Sequence, residues 1–127
     1  MTSIHSFRDL LVWQKAHSMI KQVYFETKKF PKDELYGLTS QIRRSAVSVG
    51  SNIVEGFARK GSKEELAFYN IANASLEELK FQLLLSFDFE YIPNSNYQII
   101  HELCDETGRL LRGWVSARKI NTSQFKS

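Results

Sequence analysis

One cysteine, two prolines and six glycines in 127 residues leave few ways to staple or interrupt this chain. A lone cysteine, Cys104, excludes an internal disulfide and any multi-cysteine zinc site. A sandwich or barrel needs a turn about every ten residues, and so few prolines and glycines do not supply them. No apolar run approaches the roughly 20 residues that span a bilayer. The amino terminus, MTSIHSFRDLLVWQKAHS, has no sustained apolar stretch ahead of its charges, so no signal peptide and no membrane partner are expected. A hydrophobic fraction of 43% and a charged fraction of 24% exclude a disordered tail. The expectation is one soluble, cytoplasmic domain over residues 1–127.

What the chain does have is helical periodicity, four times over. Trp13, Ala16, Ile20, Val23, Thr27 and Phe30 recur at spacings of three and four, the seam of a packed helix that Pro31 must end. Leu35, Leu38, Ile42, Ala46, Val49 and Ile53 make a second seam, closed by Gly61. Ser62 and Glu65 have capping-box spacing ahead of a third seam of Tyr69, Ala72, Leu76, Leu79, Leu83 and Phe87. After Pro93, Tyr97, Ile100, Cys104, Thr107, Leu111 and Trp114 make the fourth. The spacing predicts helices over about 8–30, 33–60, 62–89 and 94–119, with 120–127 a frayed tail. Short connections force successive helices to run antiparallel. The fold class is therefore all-α, an up-down-up-down four-helix bundle.

The third helix is apolar on two sides. Opposite its seam lie Ala67, Ile71, Ala74, Glu78, Phe81, Leu85 and Phe89, and the second helix presents Arg44, Val47, Ser51, Val54 and Ala58 away from its own seam. Surface of that kind marks an interface, so Arg44, Val47, Val54, Ile71, Phe81, Leu85 and Phe89 are the candidate contacts of a homo-oligomer. Misphasing of the seam, or loops lying over these positions, would remove the argument.

Three blocks resemble a known family: FRDLLVWQKAH at 7–17, KKFPKDELYGLTSQIRRSAVSVGSNIVEG at 28–56 and SKEELAFYNIANASLEELKFQLLL at 62–85. They are similar to the four-helix-bundle proteins encoded in intervening sequences of bacterial 23S ribosomal RNA. Their superfamily includes the accessory variability proteins of diversity-generating retroelements, to which this chain is less similar. The resemblance implies a ring-shaped assembly of five bundles, association with RNA or other nucleic acid, and no catalytic site. The retroelement relationship would add a reverse transcriptase as partner. The usual middle block has proline where Gly50 stands here.

Charge is distributed in three blocks: residues 1–60 carry +5, 61–106 carry −7 and 107–127 carry +5, for a net +3. Antiparallel topology gathers Arg8, Arg59, Lys60, Lys63, Arg112, Arg118 and Lys119 at one end, against Asp9, Glu55, Glu64 and Glu65. The other end has Lys28, Lys29 and Lys32 against Glu26, Asp33, Glu34, Asp88 and Glu90. Clustered cations that release counterions are what phosphate binding requires, so Arg59, Lys60, Lys63, Arg112, Arg118 and Lys119 are the candidate nucleic-acid contacts, with Arg43 in a second basic pair beside Arg44. Cations at the carboxyl ends of helices also complement the helix dipole, which needs no ligand. Asn52 falls near the second seam and must be hydrogen-bonded there. A polar network of Asn52 with Glu55, or of Glu55 with a neighbouring arginine, is expected.

Enzyme readings find few residues. A carboxylate-bridged di-iron site needs Glu three residues before a histidine on each of two helices, and Gln14 and Gln98 precede His17 and His101. His101 and Cys104 are two ligands and not a site. Glu64-Glu65 and Glu77-Glu78 point to different sides of a helix. The stretch Gly56 to Lys63 imitates a phosphate loop with its lysine misplaced and no strand ahead of it. No catalytic residue, metal or other cofactor is expected. Three non-enzymatic readings stay open: an RNA-associated accessory protein, an accessory subunit of a diversity-generating retroelement that binds nucleic acid and a reverse transcriptase, as the resemblance would imply, and a protein-interaction scaffold.

Overall fold

The computed structural model describes residues 3–124, and every regular element in them is helical. Four α-helices run Leu11–Thr27 (α1), Leu38–Ala58 (α2), Glu65–Asp88 (α3) and Asn94–Gln124 (α4), with short 3-10 turns at Phe7–Asp9 and Lys32–Glu34.

The boundaries depart from the periodicity for local reasons. The Ser6 hydroxyl accepts from the Arg8 amide at 3.2 Å, and the Asp9 carboxylate accepts from the Ser6 and His5 amides at 3.1 and 2.8 Å. This capping box closes a separate turn, and extended Leu10 divides it from α1. α2 starts five residues later than expected because the Glu34 carboxylate accepts the Leu38 amide at 3.3 Å, so residues 32–37 form a pinned turn. That leaves Leu35 exposed instead of on the α2 seam. The Ser62–Glu65 capping box does not form. The Glu65 amide reaches the Ser62 carbonyl at 3.5 Å, and its carboxylate turns inward. At the other terminus, residues 120–124 continue α4 where a frayed tail was expected, and 125–127 lie outside the described residues.

Contacts between helices fix their directions. Ser45 meets Glu78 while Ser48 meets Ser75, so α2 and α3 are antiparallel. Lys15 meets Glu106 and Glu26 meets Asn96, which sets α1 against α4 in opposite senses. Lys80 reaches Asp105 while Glu65 reaches Arg118, doing the same for α3 and α4. Thr27 with Arg43, and Ile20 beside Gly50, complete the cycle between α1 and α2. Each helix packs on two neighbours around one core that includes Ala16, Met19, Val23, Ile42, Val49, Ile53, Tyr69, Leu76, Leu79, Ile100, Cys104 and Leu111.

The seams of α2, α3 and α4 point inward as their spacing predicts. α1 is rotated slightly: Val12 and Met19 are buried, while Trp13 and Ile20 are only half-buried. Trp13 instead stacks on His17 at 4.7 Å and receives the edge of Phe7 at 5.0 Å, which draws the indole toward the surface.

Small residues set the spacing of the helices. A Cβ at Gly56 would lie 2.3 Å from the Tyr69 ring, a rigid and fully buried neighbour, whereas one at Gly50 would meet only the movable end of Ile20 at 2.9 Å. Gly56→Ala is expected to lower stability by about 2–3 kcal/mol through overpacking, and Gly50→Ala by clearly less. Chemical denaturation of the two variants checks this, and equal losses would contradict it.

Candidate nucleic-acid interface

The end of the molecule where α2 stops, α3 starts and α4 passes is organised around one carboxylate. Glu65 stands four residues before Tyr69 on the α3 seam, so the helix carries it into the interior, where it is 1% exposed. Arg118 of α4 reaches it with two N–H groups, Nε to Oε2 at 2.7 Å and Nη2 to Oε1 at 3.1 Å. The Tyr69 hydroxyl donates to Oε2 at 2.9 Å and the Gly61 amide to Oε1 at 2.9 Å. Gly61 holds φ +87°, the left-handed conformation that lets the chain leave α2 and aim this amide. Trp114 closes the cluster, its ring edge-on to Tyr69 and beneath the Arg118 guanidinium at 5.7 Å.

Burial by itself would raise the Glu65 pKa, but the bonds from Arg118, Gly61 and Tyr69 outweigh it and hold the carboxyl below its ordinary value of 4.5. Burial and the adjacent carboxylate push the Tyr69 hydroxyl up, so it stays a donor. Arg118 is thus engaged with Glu65 and only 12% exposed in its side chain.

The other candidates separate similarly. Arg59 pairs with Glu55 one turn away and lies over the Phe68 ring at 4.4 Å, so it is exposed but engaged. Glu55 therefore takes the arginine, while Asn52 donates to the Ser48 carbonyl at 2.8 Å and hydroxyl at 3.1 Å. The two do not form a network with each other. Arg43 is bound internally too: its Nε donates to Thr27 Oγ1 at 2.9 Å, tying α2 to α1, and its guanidinium lies over Tyr24 at 4.8 Å. Lys60, Lys63 and Arg112 are exposed and make no ion pair among the described residues. Lys60 rests over Phe57 at 5.4 Å. Arg112 and Lys119 together line a shallow cleft of about 250 Å³ with Tyr69, Asn70, Asn73 and Ser116. This end therefore presents Lys60, Lys63 and Arg112 to solvent, with Glu55 and Glu65 taken by arginines and Glu64 exposed beside Lys63.

The α3 outer side is open. Ile71, Phe81, Leu84 and Phe89 are exposed, Phe81 at 59%, and Leu85 is half-buried beside them. On α2, Val47 and Arg44 are exposed and Val54 is half-buried. Of the enzyme constellations, Cys104 is buried and its thiol pushed up to about 12, too high for a thiolate ligand or nucleophile. His101 Nε2 lies 3.3 Å from Asp105, whose other oxygen is 3.3 Å from Lys80. No group of side chains suited to a metal ion occurs among the described residues, and none of their helices is long and apolar enough to cross a membrane.

Sequence reasoning missed the burial of Glu65 and of Glu26, which accepts from Asn96 at 2.9 Å and is 2% exposed. The signal was there: both sit on the inward seam of their helices, at the three-four spacing of Tyr69 and Val23. Reading them as surface charges hid it.

An all-α chain of four antiparallel helices, with a buried ion pair at one end and an exposed basic surface beside it, is the class defined here. The profile of the family described as "23S rRNA-intervening sequence protein" matches residues 8–113, and the chain belongs to that family. Among solved structures, a protein of unknown function from the S23 ribosomal protein family of Bacteroides thetaiotaomicron is similar in fold. It has a TM-score of 0.76 and 24% identity over 84% of this chain and 96% of its own. Comparison with curated proteins finds no match.

Arg118→Gln strands a buried carboxylate and is expected to cost about 3–5 kcal/mol in denaturant unfolding. Because the folded Glu65 pKa is lowered, its contribution is complete above the ordinary value of 4.5 and is lost as pH falls through the folded value. Glu65→Gln should therefore flatten the acid limb of the stability profile. An unchanged limb would mean that other carboxylates set it.

Proposed function

We propose that the protein is a non-enzymatic, RNA-associated accessory protein that works as a homo-oligomer and contacts phosphates through Lys60, Lys63, Arg112 and Lys119. The observation that carries this reading is the exposure of unpaired Lys60, Lys63 and Arg112 at the end where Arg118 and Arg59 occupy Glu65 and Glu55. Membership of a family described by a ribosomal RNA insertion supports RNA as the nucleic acid. Cations held at fixed positions contact the phosphates that every sequence carries, which favours backbone and shape over sequence.

Assembly is part of the proposal. Ile71, Phe81 and Phe89 on the outer side of α3 form more apolar surface than a lone helix bundle needs to expose, and a second copy would cover it. A closed ring, five-membered as the resemblance implies, would repeat the basic end around its axis and strengthen its field.

Lys60→Glu, Lys63→Glu and Arg112→Glu together are expected to reduce affinity for a structured RNA by about tenfold or more at low salt, since each cation releases counterions on binding. Filter binding or fluorescence anisotropy reads this, and unchanged affinity would remove the basic end as the site. Phe81→Glu with Leu85→Glu should lower the mass seen by light scattering while circular dichroism stays helical. A complex that remains assembled would move the interface elsewhere. An oligomer that binds no RNA at low salt would leave the protein-interaction scaffold as the better reading.

A further inference from the structure

At the opposite end, where α1 stops and α2 starts, an open groove of about 520 Å³ is lined by Tyr24, Leu35, Tyr36, Ser40, Arg43, Arg44 and Val47. Its parts are held ready. Tyr36 is 93% exposed, yet the turn that carries it is fixed on both sides. The Gly37 amide donates to the Glu34 carbonyl at 3.0 Å, and the Leu35 amide to the Lys32 carbonyl at 3.1 Å. The Glu34 carboxylate accepts from the Leu38 amide and from the Tyr91 hydroxyl at 2.9 Å. Arg43 is set by Thr27 and by the Tyr24 face, so one guanidinium plane is already stacked and its two terminal nitrogens bond no described residue. Arg44 is exposed and makes no ion pair among the described residues.

At this end Glu26 is buried between Asn96 and Lys29, whose Nζ lies 3.8 Å away, and Glu34 is engaged by the turn and Tyr91, while Lys28 and Lys32 are exposed alongside Asp33, Asp88 and Glu90.

We infer that this groove is a second nucleic-acid site, one that takes a single-stranded segment by stacking a base on Tyr36 and holding its phosphate with Arg43 and Arg44. An exposed aromatic ring on a rigid turn suits a base released from a helix, because every base has a π-face and stacking does not depend on sequence. Two arginines at its side match the phosphate that such a base carries. An acidic peptide would use the arginines and gain little from the face of the Tyr36 ring. Duplex RNA offers no unstacked base, so the groove distinguishes single from double strands, which the lysines at the far end do not.

The test is anisotropy of a labelled oligouridine of about ten nucleotides, beside a duplex of equal length, against wild type, Tyr36→Ala, Tyr36→Phe and Arg44→Ala. Tyr36→Ala should weaken single-strand binding by about tenfold and Tyr36→Phe hardly at all, with duplex affinity within about twofold of wild type. Arg44→Ala should weaken single-strand binding without changing the mass by light scattering. The inference is overturned by any of four results: no oligouridine binding at low salt, equal loss of both nucleic acids in Tyr36→Ala, a fall in mass in Arg44→Ala, or full competition by polyglutamate. Reversal of the far-end lysines and Arg112 separates the two sites, because it should weaken the duplex and leave Tyr36-dependent binding in place.

Discussion

The Glu65–Arg118 pair is the constraint on which the rest of the architecture turns. A carboxylate taken fully out of water is tolerated only with its charge opposed and its lone pairs filled, and here a bidentate guanidinium, a tyrosine hydroxyl and a backbone amide do both. Satisfying it requires Gly61 in its left-handed conformation, Tyr69 seated against Gly56, and α4 long enough to deliver Arg118. Three chain segments are thereby fixed at one end of the molecule. The pair is neutral as a unit, so the balance of the remaining exposed charge, with Lys60, Lys63 and Arg112 against Glu64, stays basic.

The four seams were legible because apolar spacing reports a helix face directly, and the middle positions named on α2, α3 and α4 are those inside, with Phe87, Tyr97 and Trp114 half-buried at the ends. Ends were less legible. Glu34 capping Leu38 and Ser6 with Asp9 closing a separate turn are side-chain choices that periodicity does not encode. The candidate site was legible only as a list of charges. Arg43, Arg59 and Arg118 are indistinguishable from Lys60 or Lys63 in sequence, and their partners, Thr27, Glu55 and Glu65, become known only when the helices are placed. For Glu55 two pairings were open in sequence, Asn52 or a neighbouring arginine, and the arginine takes it, while Asn52 bonds back to Ser48.

The two ends of the molecule handle charge in different ways. One keeps lysines and Arg112 exposed around a buried pair. The other withdraws two glutamates, Glu26 and Glu34, into hydrogen bonds and leaves arginines beside exposed tyrosines. Between them runs the apolar outer side of α3, open in the single chain. Assembly through that side would set both ends in repeating order, which converts weak individual contacts into avidity for a long ligand.

The most direct measurement is the salt dependence of wild-type binding to a structured RNA, with the log of the association constant plotted against the log of salt concentration. If the exposed cations of the basic end bind phosphates, the slope is steeper than about −2. A flat line, or no binding at low salt, would contradict the electrostatic account.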